Sequence, residues 1–413
     1  MALRAQIGWL PDGVERQPWP VVVLCVPVGA GRGLPLQRWG LRAVRRAATL
    51  ARVRPRRSGI GTAGRGARRS GGIRRLYWAA RYRTWRASAE EQLSPGYTVL
   101  VPVPGDLPVF CRLALAACNS QRSSSRRATL VIPDAPSARV HRIVESWKGS
   151  WNGELAEENI RGLERWLLPR MKNAGHNYAV QLITGISATK SSHVIFHDAD
   201  LFPLHEVLFE RQYERCRDRQ LACLGLSPVW DEWFEAHGRK LAATWDLFAD
   251  VRWLRSFRPA EHISQDETLW GEAHSFDVTL LAQAKTRFDL IDVTSEPDDF
   301  IHFNYVIGTF RRWQRTKGEM IDDRFLVLLV HLLSEMFGEP TGGPKISVEQ
   351  MGANLGRADL RLRHPDRESG RANYEEFRTK LGLALLGPWA ETGMLDRANG
   401  LLEPFDSYYG VGR

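Results

Sequence analysis

The residues best suited to chemistry are two aspartates two positions apart, Asp198 and Asp200, which follow the apolar segment HVIF. Where a strand runs out into a loop, such a pair projects to one side and offers carboxylate oxygens to a hard cation. Mg²⁺ or Mn²⁺ held there can bridge a diphosphate and neutralise charge on a leaving nucleotide. The pair therefore predicts a divalent metal site, although the same spacing also arises by chance in many chains.

The segments around this pair alternate between strand and helix patterns. Between residues 97 and 204, short apolar runs typical of buried strands are separated by runs with helical spacing. This order predicts an α/β fold with a mostly parallel sheet and helices on both faces. Ligands bind such sheets at the carboxyl ends of the strands, which is where Asp134, Asp198 and Asp200 lie.

Further along the chain, the pattern predicts a charged helix over 206–219, a helix that opens at Asp277, and a buried apolar helix over 322–337. The aromatic-rich stretch 228–270 is compatible with a pocket wall and equally with a filled core. We expect Arg311 and Arg312 on a solvated helix face, with contact to phosphate as the alternative.

The basic charge of the chain is concentrated at its start. Residues 1–95 contain 19 Arg, no Lys and four acidic residues, whereas the rest contains 38 basic and 43 acidic residues. Residues 29–72 are so rich in Gly and Arg that they cannot bury enough apolar surface to become ordered. Residues 73–92 predict a basic, aromatic, amphipathic helix suited to anionic lipid or nucleic acid. We therefore predict a largely disordered N-terminal arm over 1–95.

The remaining chain divides near the Gly- and Pro-rich segment 338–344. We predict a catalytic domain over 96–338 and a small helical extension over 339–413. Five cysteines without paired metal or disulfide spacing exclude a disulfide scaffold, and we expect reduced, buried thiols. No apolar run approaches the ~20 residues of a membrane span. We expect a cytoplasmic protein, with peripheral contact at the inner membrane face through residues 73–92 as an open alternative.

Residues 173–204 resemble the nucleotide-sugar-binding half of the GT-A glycosyltransferases, especially the family-2-like group. Asn173, Gly175 and Ala179 precede Asp198 as the group's N-x-G-x-x-x-A segment precedes its aspartate motif. The strand 97–104 and the segment 133–137 also resemble the family's first strand and the end of its second. The resemblance extends, in the correct order, over residues 97–310.

This resemblance implies a metal-dependent transfer of a hexosyl or N-acetylhexosaminyl group from a nucleotide-diphosphate sugar to an acceptor hydroxyl. It places the donor in residues 96–204 and the acceptor in residues 205–338. It also implies Mn²⁺ or Mg²⁺ as the cofactor, with His302 joining the two aspartates as a ligand. The donor-binding residues that it implies are Pro102, Asp134, Asn173, Gly175 and Asp198.

The general base is the part of the pattern in which this chain departs from the family, because the usual Glu-Asp pair is absent. Asp277 is the first candidate and Glu272, in a Trp-Gly-Glu segment, is the second. Asp277 is equally compatible with a plain helix N-cap, and His302 with a structural histidine. His197 precedes the aspartate motif and, on an alternating strand, points away from the site.

Two other classes of function remain open. Residues 21–36 weakly resemble the Gly-rich phosphate loop of sugar nucleotidyltransferases, but no strand-helix-strand pattern comes after them. Alternatively, the chain is a catalytically inactive GT-A-like adaptor that binds a membrane surface or nucleic acid through its basic arm. As partners of an enzyme we expect the sugar donor and an acceptor (a glycan, a lipid-linked molecule or a small molecule), and not nucleic acid.

Overall fold

Residues 80–85, 92–171, 174–229, 231–294, 299–343, 346–357 and 361–411 are described by a computed structural model. The predicted basic arm lies outside these residues apart from 80–85 and 92–95, and so does the Gly-rich segment 21–36. Residues 82–229, together with the chain from 233 onward, form one unit.

The strands are short, except for the first two and the fourth. In chain order they are β1 Ser94–Val103, β2 Arg126–Pro133, β3 Glu154–Glu157, β4 Ser191–His197, β5 Leu201–Pro203, β6 Cys223–Gly225, β7 Asp246–Asp250, β8 Gln265–Leu269, β9 Glu272–Phe276, β10 Ile291–Val293, β11 Phe300–His302, β12 Met320–Ile321 and β13 Leu362–Arg363.

The helices fall between these strands and then dominate the C-terminal part. They are α1 Pro108–Asn119, α2 Ala138–Lys148, α3 Glu164–Met171, α4 Ala174–Ala188, α5 Leu208–Asp218, α6 Glu232–Ala236, α7 Val251–Ser256, α8 Leu280–Ala284, α9 Val306–Arg315, α10 Leu326–Phe337, α11 Val348–Ala353, α12 Arg367–Leu385 and α13 Met394–Tyr409.

A seven-stranded sheet in the order β10-β6-β7-β4-β1-β2-β3 forms the centre of the fold. All neighbouring strands are parallel except where β7 lies between β4 and β6, and β7 is antiparallel to both. Leu100 of β1 pairs with Leu130 of β2 on one side and with Phe196 of β4 on the other. The predicted α/β class with a mostly parallel sheet is therefore confirmed.

The central strand β1 explains why this sheet needs helices on both faces. From Tyr97 onward its residues are buried without alternation, which is typical of a parallel strand covered on both sides. The helix α4 packs closely against the sheet at Gly185, where a Cβ would meet the Ile132 side chain at 2.6 Å and the Leu100 side chain at 2.9 Å. A larger residue at this position would require the ends of the Ile132 and Leu100 side chains to shift.

Two further pairs of strands lie outside the central sheet. The strands β5 and β11 are antiparallel, and Leu201 pairs with His302. The strands β8 and β9 form a hairpin whose two-residue turn is Trp270-Gly271, with φ of +56° and +87°. The first pair carries candidate metal ligands on β11 and directly before β5.

The C-terminal helices pack into the same hydrophobic core as the sheet. The helix α10 is buried along almost its whole length, and it belongs to one hydrophobic cluster with Phe377, Leu402 and Tyr409 of α12 and α13. The Asp322 carboxylate accepts hydrogen bonds from the N–H groups of Leu326, Val327 and Leu328 at 2.8–3.0 Å. It thereby satisfies donors that the first turn of α10 otherwise leaves unpaired.

Some predicted boundaries differ from those observed. The predicted helix at Asp277 begins later, at Leu280, because the chain takes a left-handed conformation at Thr279.

The cysteines Cys111, Cys118, Cys216 and Cys223 are free and buried, as expected, and burial raises the pKa of each thiol. Among the described helices, none combines the length and the apolar composition that a bilayer crossing requires.

The buried histidine of α10 makes the stability of the fold sensitive to acid. His331 packs against Phe310 and Trp313, and burial lowers its pKa to about 4. Between pH 6.5 and 4 the unfolded chain binds a proton at this residue that the folded chain does not bind, so stability falls as the pH falls. From pH 7 to pH 5 this one residue costs roughly 2 kcal/mol of unfolding free energy.

We therefore expect the stability difference between the wild type and His331→Leu to change with pH. Urea unfolding at pH 7 and pH 5 measures it, and the wild type should lose about 2 kcal/mol more than the variant over this range. The control is His141→Leu, which removes an exposed histidine. An equal loss in the wild type and His331→Leu would contradict the prediction.

Candidate metal centre and donor site

The two aspartates and His302, the ligands that the resemblance implies, lie close together. Asp198 and Asp200 follow β4, and β11 ends at His302. The His302 Nε2 lies 3.3 Å from an Asp200 carboxylate oxygen and 3.9 Å from an Asp198 oxygen. One ligand atom from each residue lies within 4.8 Å of those of the other two. Among the described residues, these three form the group of His, Cys, Asp or Glu side chains that is arranged to hold a metal ion.

The backbone fixes this arrangement at several points. The Asp198 N–H donates to the Trp245 carbonyl at 3.1 Å, and the Phe303 N–H donates to the Asp200 carbonyl at 3.1 Å. The Trp245 ring also lies against the His302 imidazole, with centroids 4.5 Å apart. These contacts join the end of β4, the start of β7 and the end of β11 around the three side chains.

The three side chains fit a divalent cation. The Asp198 Oδ1 is buried and has no hydrogen-bond partner in the described part of the chain. Burial, and next the charge of Asp200, raise the pKa of Asp198 to about 7, whereas His302 and the Tyr178 hydroxyl lower it. Two close carboxylates in a partly buried place are stabilised by a positive ion, and oxygen ligands with one imidazole suit Mn²⁺ or Mg²⁺.

Asp134, at the end of β2, is buried in a network of hydrogen bonds. Its Oδ1 accepts from the Gly105 N–H at 2.9 Å, and its Oδ2 accepts from Asn177 Nδ2 at 3.0 Å and from Arg311 Nη1 at 2.7 Å. The Arg311 guanidinium also binds the Asp106 carboxylate, which is partly exposed. One guanidinium from α9 is thus held between two carboxylates of the predicted donor half.

The expectation of a solvated helix face for Arg311 was wrong. This residue is 7% exposed, whereas its neighbour Arg312 is exposed. The nearby carboxylates raise the pKa of the Arg311 guanidinium against the opposing effect of burial. The two carboxylates compensate the charge, and both lie more than 170 residues away in the chain.

Asn177 is a site residue that the sequence reasoning missed. It lies on α4, is 2% exposed, and contacts Asp134. The available signal was a second asparagine within the N-x-G-x-x-x-A segment, four positions after Asn173. Asn173 itself lies outside the described residues, Gly175 is exposed in the first turn of α4, and Pro102 is buried in β1 opposite Ile132.

The two candidates for the general base lie at opposite ends of β9. Asp277 follows the strand, and its Oδ1 accepts hydrogen bonds from Ser264 Oγ and the Val278 N–H, both at 2.7 Å. Burial raises the pKa of Asp277, and its charge acts on Asp198, Tyr178 and Tyr305. The charge of Asp277 therefore acts on one candidate metal ligand, Asp198.

Glu272 lies at the exposed start of β9, where it accepts a hydrogen bond from Trp233 Nε1 at 2.9 Å. Five residues of extended chain separate it from Asp277, which corresponds to about 16 Å. Glu272 therefore lies about the length of β9 away from Asp277.

The aromatic residues of 228–270 divide between core and site. Trp230 lies outside the described residues. Trp233 stacks on Trp270 and His274 of the hairpin, and Phe234 and Phe248 are buried. Trp245 is the member of this group that contacts a candidate metal ligand.

His197 is fully buried against Phe209, and burial lowers its pKa to about 3.

The chain is similar to several solved structures at low sequence identity. A mannosyltransferase from Pyrobaculum calidifontis in complex with GDP-Man and Mn²⁺ is 14% identical over 84% of this chain and 97% of its own, with a TM-score of 0.33. S. aureus TarS 1-349 with UDP-GlcNAc is 13% identical over 76% and 92%, with a TM-score of 0.35. Glucosyl-3-phosphoglycerate synthase from Mycobacterium tuberculosis, with phosphoglyceric acid, is 13% identical over 60% and 81%, with a TM-score of 0.35.

No protein-family model matches the chain, and no curated protein matches it. Because the structural similarities are low, the functional assignment rests on the sheet and the side chains of this chain.

Proposed function

We propose that this chain is a metal-dependent glycosyltransferase that moves a sugar from a nucleotide-diphosphate donor to an acceptor hydroxyl. The observation that carries the proposal is the grouping of Asp198, Asp200 and His302 at the end of β4, beside the central parallel strands. Carboxylates and an imidazole at the carboxyl end of such a sheet suit a cation that binds a diphosphate. The transferred group is proposed to be a hexosyl or N-acetylhexosaminyl unit.

In this proposal the three side chains hold Mn²⁺ or Mg²⁺, which supplies positive charge to the diphosphate leaving group. Asp134 follows β2, is hydrogen-bonded by Asn177 and Arg311, and is proposed to contact the nucleoside of the donor. The buried pairing of Arg311 with Asp134 keeps the carboxylate in one orientation before a donor arrives. Fixed polar groups of this kind need no reorganisation on binding. Pro102, Asn173 and Gly175 remain proposed donor contacts.

Asp277 is proposed to accept the proton of the acceptor hydroxyl as that oxygen forms its bond to the sugar. Its raised pKa suits the role, because a base whose pKa approaches the working pH accepts a proton more effectively. Ser264 and the Val278 N–H hold one of its oxygens in place. Glu272 remains the second candidate. Its hydrogen bond to Trp233 and its distance from Asp277 favour a structural role.

Binding of UDP and GDP to the full chain tests the proposal. Calorimetry with and without Mn²⁺ should show metal-dependent binding of one of them. Asp200→Asn should weaken it by roughly 100-fold or more, since even outer-shell partners of metal ligands contribute about 10- to 100-fold. The matched control is Asp218→Asn, at the exposed end of α5. If the folded wild type binds no nucleoside diphosphate at any Mn²⁺ concentration, the transferase proposal fails and the adaptor alternative is favoured.

A further inference from the structure

The two strands that adjoin the metal ligands both rest on buried aromatic rings. Phe202 lies two residues after Asp200, and Phe303 directly follows His302. These two phenylalanines are 2% and 4% exposed, and their rings meet edge to face with centroids 5.9 Å apart. Asp200 and His302 are therefore each connected, through one or two residues of backbone, to one of two rings that contact each other.

The C-terminal part of the chain supplies the surface beneath these rings. Trp389, which follows α12, is 6% exposed and stacks on Phe202 with centroids 4.8 Å apart and planes inclined by 29°. Side chains of α10 and α12 complete the cluster around the rings, and they leave no room for a water molecule. They are Leu329, Leu333, Leu381, Ala384 and Leu385.

Backbone hydrogen bonds link the position of these rings to the distance between Asp200 and His302. The antiparallel pairing of β5 and β11 places Leu201 opposite His302, and the Phe303 N–H binds the Asp200 carbonyl. A shift of the Phe202 ring would therefore move β5 relative to β11. It would also move Asp200, which directly precedes β5, relative to His302. The Trp389 Nε1 has no hydrogen-bond partner in the described part of the chain, so Trp389 acts here through the packing of its ring.

We propose that Trp389 is a positioning residue of the metal centre, through which the C-terminal segment sets the affinity for the ion. The inference rests on the proposed metal site and extends it to a residue almost 90 positions beyond the last ligand. Trp389 touches neither the ion nor a ligand. It holds the two strands at the separation that lets one carboxylate and one imidazole bind the same ion, since outer contacts orient the ligands.

The test is Mn²⁺ affinity, followed by loss of the free-ion EPR signal on titration of the full chain without nucleotide. Trp389→Leu should weaken Mn²⁺ binding by about tenfold, the lower end of the range for residues that contact a metal ligand directly, because Trp389 acts on the ligands only through Phe202 and the backbone. The matched control is Trp151→Leu, which removes another largely buried tryptophan, 8% exposed, beside β3 at the far edge of the sheet. It should keep the wild-type affinity within about twofold, a small effect beside outer-shell losses. Trp389→Phe keeps an aromatic ring on Phe202 and should recover most of the loss.

The outcomes separate the two proposals. A wild type that binds no Mn²⁺, either alone or together with a nucleoside diphosphate, overturns the metal centre and this inference together. A wild type that binds Mn²⁺ while folded Trp389→Leu binds it equally well overturns this inference alone. If Trp389→Leu does not fold, Leu385→Ala, which lines the same cluster from α12, is measured instead. This variant should bind Mn²⁺ about threefold or more weakly than the wild type, a smaller effect than the loss of a direct contact with a ligand. An unchanged affinity would again count against the role of the C-terminal segment.

Discussion

Asp277→Asn should lower kcat by about 10²- to 10⁴-fold, the usual contribution of a general base, while the affinity for the nucleotide changes little. The amide cannot accept the hydroxyl proton, but it keeps the size of the side chain and can still accept from Ser264. Donor turnover measures the effect, with whichever acceptor the wild type uses. Glu272→Gln, five residues earlier on the same strand, is the matched control and should stay within a few-fold of the wild type.

The pH profile gives a second measure of the same residue. Asp277 acts as a base only when ionised, so the wild-type rate should fall as the pH drops through its pKa, which burial has raised above the usual range for aspartate. Asp277→Asn should lack this acid limb. A large loss in Glu272→Gln with normal Asp277→Asn turnover would reverse the assignment.

Arg311→Met should destabilise the fold by about 3–5 kcal/mol, because it leaves the buried Asp134 carboxylate without its charged partner. Arg312→Met is the natural control, since Arg312 is the next residue of the same helix and is exposed. Its cost should stay within about 0.5 kcal/mol. Chemical unfolding of both variants measures the difference, and equal midpoints would show that the pair contributes nothing to stability.

A double-mutant cycle separates the pair from its surroundings. If Arg311 acts through Asp134, Arg311→Met combined with Asp134→Asn should cost less than the sum of the single changes by about 1–3 kcal/mol. The same variants should weaken nucleotide binding more than Arg312→Met does. Additive costs would mean that Arg311 stabilises the fold mainly through Asp106.

The strands of the donor half were predictable because each is a continuous apolar run between clear breaks. This holds for β1, β2 and β4, and the aspartate motif follows directly from the end of β4. His302 was placed by resemblance alone. It lies about a hundred residues after Asp200, and only the pairing of β5 with β11 brings the two together.

Other parts could not be predicted because tertiary contacts override local preference. The strand β7 occupies the middle of the sheet, although its five residues, DLFAD, begin and end with aspartate. The hairpin turn places Trp270 at a positive φ, where Asn, Asp or Gly is usual. Arg311 was misplaced because the carboxylates that compensate its charge lie far away in the sequence.

The pairing of β5 with β11 also fixes when the site can first exist during synthesis. Asp200 leaves the ribosome about a hundred residues ahead of His302, which at about 5–20 residues per second is an interval of roughly 5–20 s. Trp389 follows almost 90 residues after His302. A nascent chain therefore carries the two carboxylates long before it can hold an ion with defined geometry. In the proposed metal centre, a nascent chain that has not yet reached His302 lacks one of the three ligands, so we expect it to bind the ion and the donor more weakly than the chain that includes Trp389.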